Sequence, residues 1–290
     1  MNEMNIPRIH RAAVELMMRD HVEDVRRLNS ILGGGVSADL SEDVPPNPFV
    51  GNPSSLKVGK CIAIMGINPA FDRKMRFKFV HNEIDIPIMC KDGFMVSREI
   101  SSFEPWIKKI NNYYFSDAYN GGYFTTIGKK LGATWFIDQE NSEIDSGMAR
   151  TILHNNTIKF DTIPYYSIDA DSLSSERIAD AMNVEKDDMD PSLRAHVNCI
   201  EALIEETRPN RLLVNGIDVA GEVVRKCFIV DGTLEKRRIK VNSRNANFQI
   251  GWSSIGNHEM PTLIVPFMKY MSMDTWKSIS NEFESWLENQ

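Results

Sequence analysis

The sequence predicts an α/β fold in three layers, with helices on both faces of a central, mostly parallel sheet and a helical addition at the N-terminus. Three observations lead there. Short, continuously apolar runs recur, at Cys61-Ile-Ala-Ile-Met, Leu212-Leu-Val214 and Thr262-Leu-Ile-Val265, as expected of strands buried on both faces. Stretches with apolar residues three and four apart separate them, notably after Asp190 and after Asp274. Strands alternating with helices make crossover units, and crossovers make parallel sheets.

Taken in order, residues 8–32 read as one helix, because Val14, Met18, Val22, Val25, Leu28 and Leu32 recur at helical intervals. Gly33-Gly-Gly35 stops it, and Pro45-Pro-Asn-Pro48 sets an extended connection. Residues 1–50 are thus an N-terminal helical extension and linker, and 51–290 the main α/β domain. Within it, residues 80–150 read as an insertion. Trp106, Tyr113, Tyr114, Phe115, Tyr119 and Tyr123 cluster there, at a density typical of core. Asp190-Pro191 opens a helix with an acidic cap and Pro in its first turn, and Leu193, Val197, Ile200, Leu203 and Ile204 give it an apolar face. Asp218 caps a further helix through Val223 and Val224. Residues 228–257 read as a hairpin-rich insertion. After Asp274, Trp276, Ile279, Phe283, Trp286 and Leu287 line one side of a closing amphipathic helix.

With 290 residues, 42% of them hydrophobic, the chain can bury a full core. A net charge of −7 gives no general basic surface, so any nucleic-acid contact must be local. Two basic clusters qualify: Arg73, Lys74, Arg76 and Lys78, and Lys236, Arg237, Arg238, Lys240 and Arg244. The four cysteines are scattered without a C-x-x-C pair, so neither a metal site nor a cofactor is expected, and the usage fits a reducing cytoplasm. No signal core and no membrane-length apolar run appear, giving the expectation of a cytoplasmic protein without a membrane partner.

Chemistry is concentrated after the first strand, where the chain reads Gly66-Ile-Asn-Pro-Ala-Phe-Asp72. Ligands of open α/β sheets bind at the strand ends. Gly66 and Ile67 let backbone approach a ligand, Pro69 fixes the turn, and the Asn68 amide can hold a water. Asp72 is a carboxylate for a base or for stabilising a cation, or else a helix cap; Phe71 can stack on a flat ligand or fill core.

The string GINPAF resembles the first catalytic motif of the uracil-DNA glycosylase superfamily, in its GINPG-type branches. The order of later segments is similar too. Asn156-Thr-Ile-Lys-Phe-Asp-Thr-Ile-Pro164 looks like that family's base-reading strand, Arg208–Gly216 like its third core strand, and Pro261–Phe267 like the strand leading to its DNA-inserting loop. The resemblance implies a monofunctional DNA glycosylase, with DNA as partner and Asn68 positioning the water. It also implies a flipped nucleotide, with the base stacked on Phe71. Relatives place an Asn on the second strand. Aligned on the downstream Pro, Asp161 stands there; read from the strand's start, Asn156 does. An ionised Asp accepts only, which suits the C4 amine of a cytosine-type base and repels O4 of uracil. The expected substrate is a modified cytosine, a chemistry some members of this fold use against phage. The alternatives are a uracil or mismatch glycosylase reading with Asn156, and a catalytically inactive nucleic-acid-binding protein on the same fold. The family's His-Pro-Ser segment is replaced by Pro266-Phe-Met-Lys-Tyr-Met-Ser272, without a His. There Lys269 could meet phosphate, and Met268, Tyr270 and Met271 could wedge into the vacated stack. Arg237 and Arg238 complete the expected DNA contacts, and His258 reads as structural.

Overall fold

The computed structural model describes residues 8–33, 38–67, 122–137, 143–169 and 172–290. The expected α/β class holds: a mixed sheet of six strands is flanked by helices on both faces. Helices α1 (Arg8–Met17) and α2 (His21–Leu32) lead to the short strand β1 (Asp39–Leu40) and to β2 (Ile62–Gly66). Helices α3 (Tyr123–Leu131) and α4 (Ser146–Asn156) precede β3 (Thr157–Asp161) and β4 (Ser167–Asp169). Next come α5 (Ser175–Met182), α6 (Pro191–Thr207), β5 (Arg211–Asn215) and α7 (Val219–Cys227). Strands β6 (Glu235–Val241), β7 (Arg244–Ile255) and β8 (His258–Val265) and helix α8 (Met273–Glu288) complete the chain.

The sheet order is β3-β2-β5-β8-β7-β6. The first four strands are parallel; β7 and β6 extend the sheet as an antiparallel hairpin, which is the insertion expected at 228–257. Because side chains alternate along a strand, the sheet has two cores. Ile62, Ile64, Leu213, Leu263 and Val265 pack against Phe124, Ile127 and Leu131 of α3, Leu153 of α4, and Trp276, Ile279 and Phe283 of α8. Ala63, Met65, Phe160, Val214 and Ile264 face the other way, toward α1, α2, α5, α6 and α7.

Two expectations change. Residues 8–32 form two helices, because Asp20 caps the second by accepting from Glu23 N, and that cap interrupts the helical run. Both helices share the core of the sheet's second face. The last helix is capped by Ser272, which accepts from Thr275 N, two residues earlier than Asp274 suggested.

A buried ionic cluster ties α2 to the rest. Asp24, 2% exposed, accepts from Arg19 at 2.7 Å, Arg27 at 2.7 Å and the Tyr165 hydroxyl at 2.9 Å. Arg27 continues to Asp190, the cap of α6. Burial alone would raise the Asp190 carboxyl, but bonds from Arg27 and Ser192 reverse this and take it down to about 2. His196 on α6 is fully buried, and desolvation pushes its imidazole down to about 4. It is therefore neutral at neutral pH, and its Nε2–H donates to the Asp161 carbonyl at 2.7 Å.

These groups fix how stability depends on pH. His196 titrates below its unfolded value of about 6.5, so the unfolded chain binds the proton first and stability falls from about pH 6.5 toward 4. Asp190 also titrates low, and its contribution, complete above about pH 4, is lost as pH falls toward 2. The His196 limb is on the order of 3 kcal/mol. Urea unfolding at stepped pH is expected to show both limbs, and His196→Gln to remove the upper one while keeping the lower.

Candidate active site

The parallel strands reverse their order beside β2. The chain leaves β2 for β3 on one side, whereas β5 and β8 are added on the other. In open α/β sheets such a switch point, here at the carboxyl ends of β2 and β5, is where ligands bind. The residues on that edge are the ends of the motifs read from sequence.

The last rung of the sheet builds the site. Gly66 pairs with Asp161, and Asn215 pairs with Val265, while Met65 pairs with Val214 one position earlier. Asp161, Gly66, Asn215 and Val265 therefore lie in line, with side chains on the face covered by α3, α4 and α8. Gly66 is required by contact: a Cβ there would stand 2.2 Å from Asp161 Oδ1. The carboxylate occupies the space the missing side chain leaves. The chains beyond are stitched together, since Thr162 donates to Gly66 O from both its N–H (3.0 Å) and its hydroxyl (2.9 Å), and Ile163 N–H donates to Ile67 O. Gly216 follows β5 at φ +137°, a conformation L side chains rarely adopt, with Ile67 packed over it.

Asp161 is not alone. Lys159, two residues earlier and so on the same face, donates to both carboxylate oxygens at 2.6 Å. The pair is nearly enclosed, with side chains 12% and 5% exposed. Lys159's own backbone is fixed by two hydrogen bonds to Val50, which shields the outer edge of β3. The expected free acceptor is thus an ion pair.

On the other side of Gly66, Asn215 is fully buried and fully used. Its amide donates to the Tyr123 hydroxyl at 2.8 Å, and its carbonyl accepts from Met268 N at 2.7 Å. Tyr123 stacks on Phe267 at 5.6 Å, and Phe267 meets Tyr270 at 5.6 Å. Lys130, also buried, donates to Met268 O at 2.6 Å, and desolvation lowers its ammonium. The turn at Met268–Tyr270 is consequently held from beneath by two buried side chains, with Tyr270 80% exposed on top.

The sequence-predicted residues fall into three groups. Gly66, Ile67, Asp161, Lys269 and Tyr270 gather at this carboxyl edge. Three are corrected. Asn156 sits at the opposite end of β3, where it ends α4 and its amide donates to Ile152 O, so it cannot share the site with Gly66. Met268 is 0% exposed and belongs to the core beneath the turn, so it is not available as a wedge. Arg237 faces α8 and is paired with Glu235 and Glu282. Asn68, Phe71, Asp72 and the first basic cluster, Arg73 to Lys78, lie outside the described residues. Lys159, Asn215, Tyr123 and Lys130 were missed. Period-two spacing from Asp161 points to Lys159, and an Asn directly before the strand-ending Gly216 points to Asn215. Among the described residues no three His, Cys, Asp or Glu side chains converge as metal ligands, and no helix is long and apolar enough to cross a membrane.

No protein-family model matches the chain, and no curated protein matches it.

Gly66→Ala is expected to expel the Asp161 carboxylate from its place and break its contact with Lys159. A loss of about 1–3 kcal/mol in urea unfolding would measure this, as for overpacking a tight site. Asn215→Ala is expected to cost about 2–4 kcal/mol, because it strands the buried Met268 N–H and removes the Tyr123 bond. The same variant should speed proteolysis at the Met268–Tyr270 turn.

Proposed function

We propose that this protein is a DNA glycosylase of the uracil-DNA glycosylase type, acting in the cytoplasm on a cytosine-type base extruded from DNA. One observation carries the reading. Gly66, at the start of the GINPA turn, and Asp161, at the end of the strand aligned with the family's base reader, pair with each other in register. Two motifs nearly a hundred residues apart thus meet on one rung, beside the switch point where such folds bind ligands.

The chemistry follows from that rung. A water held by Asn68 attacks C1′ of the sugar; the bond from C1′ to the base nitrogen breaks, and its electron pair leaves with the base. The water's proton passes to a basic group or to solvent. A lone carboxylate beside a base gaining negative charge would oppose its departure. Lys159 offsets that charge, and so supplies part of what the family's absent His provides. With its two charges side by side, the pair complements cytosine's edge, with Asp161 accepting from the C4 amine and Lys159 donating to the ring nitrogen.

Lys159 also supports a second reading. Turned the other way, its ammonium would meet O4 of uracil while Asp161 accepts from N3–H, so uracil loses the repulsion expected of a lone Asp.

Duplexes carrying uracil, a thymine mismatch, cytosine, hydroxymethylcytosine or glucosylated cytosine, treated with protein and then alkali, decide between them by strand cleavage at the abasic site. Release of a cytosine-type base is expected, with Asn68→Ala reducing it about 10²-fold or more. Lys159→Met is expected to lower turnover on every accepted base, because it leaves Asp161 unpaired. Release of uracil alone would select the second reading. DNA binding without any release would leave a nucleic-acid-binding protein and sink the glycosylase.

A further inference from the structure

The hairpin of β6 and β7 is longer than the sheet it joins. The last β7–β8 pair toward the site is Gln249–Ile264, and β8 ends one residue later at Val265, level with the Phe248–Arg237 pair, whereas β7 and β6 stay paired further, through Asn247–Arg238, Ala246–Ile239, Asn245–Lys240 and Arg244–Val241. Four pairs extend the ribbon about 13 Å past its neighbours. Since β6 runs parallel to β8 and the core strands, the overhang projects from the carboxyl edge, the edge of the candidate active site. The turn at its tip, Asn242-Ser243, has positive φ at both residues, the geometry that continues strand twist through a tight hairpin.

Its two faces differ in kind. Ile239, Ala246 and Phe248 lie against α8; beside them Arg237 pairs with Glu235 and Glu282, and Trp286 bonds Glu235. The opposite face carries Lys236, Arg238 and Lys240 on β6, with Asn245, Asn247 and Gln249 directly across on β7. All but Gln249 are exposed, and the three cations make no ion pair with a described residue. Among the described residues of the ribbon no carboxylate and no aromatic ring lies on this face, in a chain whose net charge is −7.

We propose that this face of the ribbon binds duplex DNA, holding the phosphate backbone and groove beside the nucleotide the site takes. A row of cations set two residues apart complements phosphate, amides facing them hydrogen-bond backbone or base edges, and a two-stranded ribbon fits the major groove. The occupant is duplex because single-strand surfaces rely on exposed aromatic rings for stacking, which this face lacks. The inference rests on the glycosylase reading for its partner but not for the reaction, and it drops Arg237 from the expected DNA contacts while keeping Arg238, with Lys236 and Lys240 of the same cluster.

The test compares the charge-matched double variants Arg238→Gln/Lys240→Gln, on the overhang, and Lys57→Gln/Lys60→Gln, exposed at the opposite edge. Fluorescence anisotropy follows an unmodified duplex, and the corresponding single strand, across a salt series. The ribbon variant is expected to weaken duplex binding and flatten its salt slope by about 2, leaving single-strand binding unchanged. The control should match wild type. Equal slopes for wild type and ribbon variant, equal losses in both variants, or a loss confined to single strands would each overturn the proposal. Base release under saturating protein separates the two ideas. Release with an unchanged slope sinks the ribbon surface alone, whereas a flattened slope without release from any duplex sinks the reaction alone.

Discussion

The contact between Gly66 and the Asp161 carboxylate is the constraint from which the carboxyl edge follows. A side chain at 66 would collide with the carboxylate, so the strand must end in Gly, and the carboxylate in turn stands where a Cβ would be. Lys159 then has one place to put its ammonium, against both oxygens, because strand geometry already sets it on the same face. Removing the Cβ therefore brings a buried ion pair to the last rung. Buried pairs of this kind add little net stability and are costly to break, so their worth lies in fixing geometry.

How far the edge stays fixed depends on groups remote from it in sequence. Asp161's carbonyl is held by His196 from α6, and Tyr165, four residues on, is held by Asp24 from α2. The same Arg27 that supports Asp24 also secures the cap of α6. The N-terminal helices act as a clamp behind the loop that follows β3. Their apolar faces pack into the second core.

The layered class was legible because it depends on periodicity alone: apolar runs at 62–66 and 212–214, the Asp190 cap and the stripe along the last helix all reappear as read. That Gly66 and Asp161 end their strands was legible because at each a run of strand-forming residues gives way to a turn. What failed was direction and depth. Asn156 and Asp161 are five residues apart on one motif, and only the start of β3 at Thr157 reveals that they stand at opposite edges of the sheet. Met268 and Tyr270 look equally exposed in a string of alternating types, yet one is core and the other surface, because a single helical turn intervenes. Arg237 and Arg238 are adjacent, and the strand's pleat sends them to opposite faces. No composition rule separates such neighbours; only tertiary placement does.

Lys130 and Asn215 grip the backbone of the Met268–Tyr270 turn from inside the core. A flexible loop that offers a ring to a partner must surrender backbone freedom on contact, roughly 1–2 kcal/mol for each residue ordered. Here that loss is incurred when the chain folds. The Tyr270 ring meets whatever approaches from a turn already tied to the core at Met268, so less of the cost of association goes into ordering the backbone.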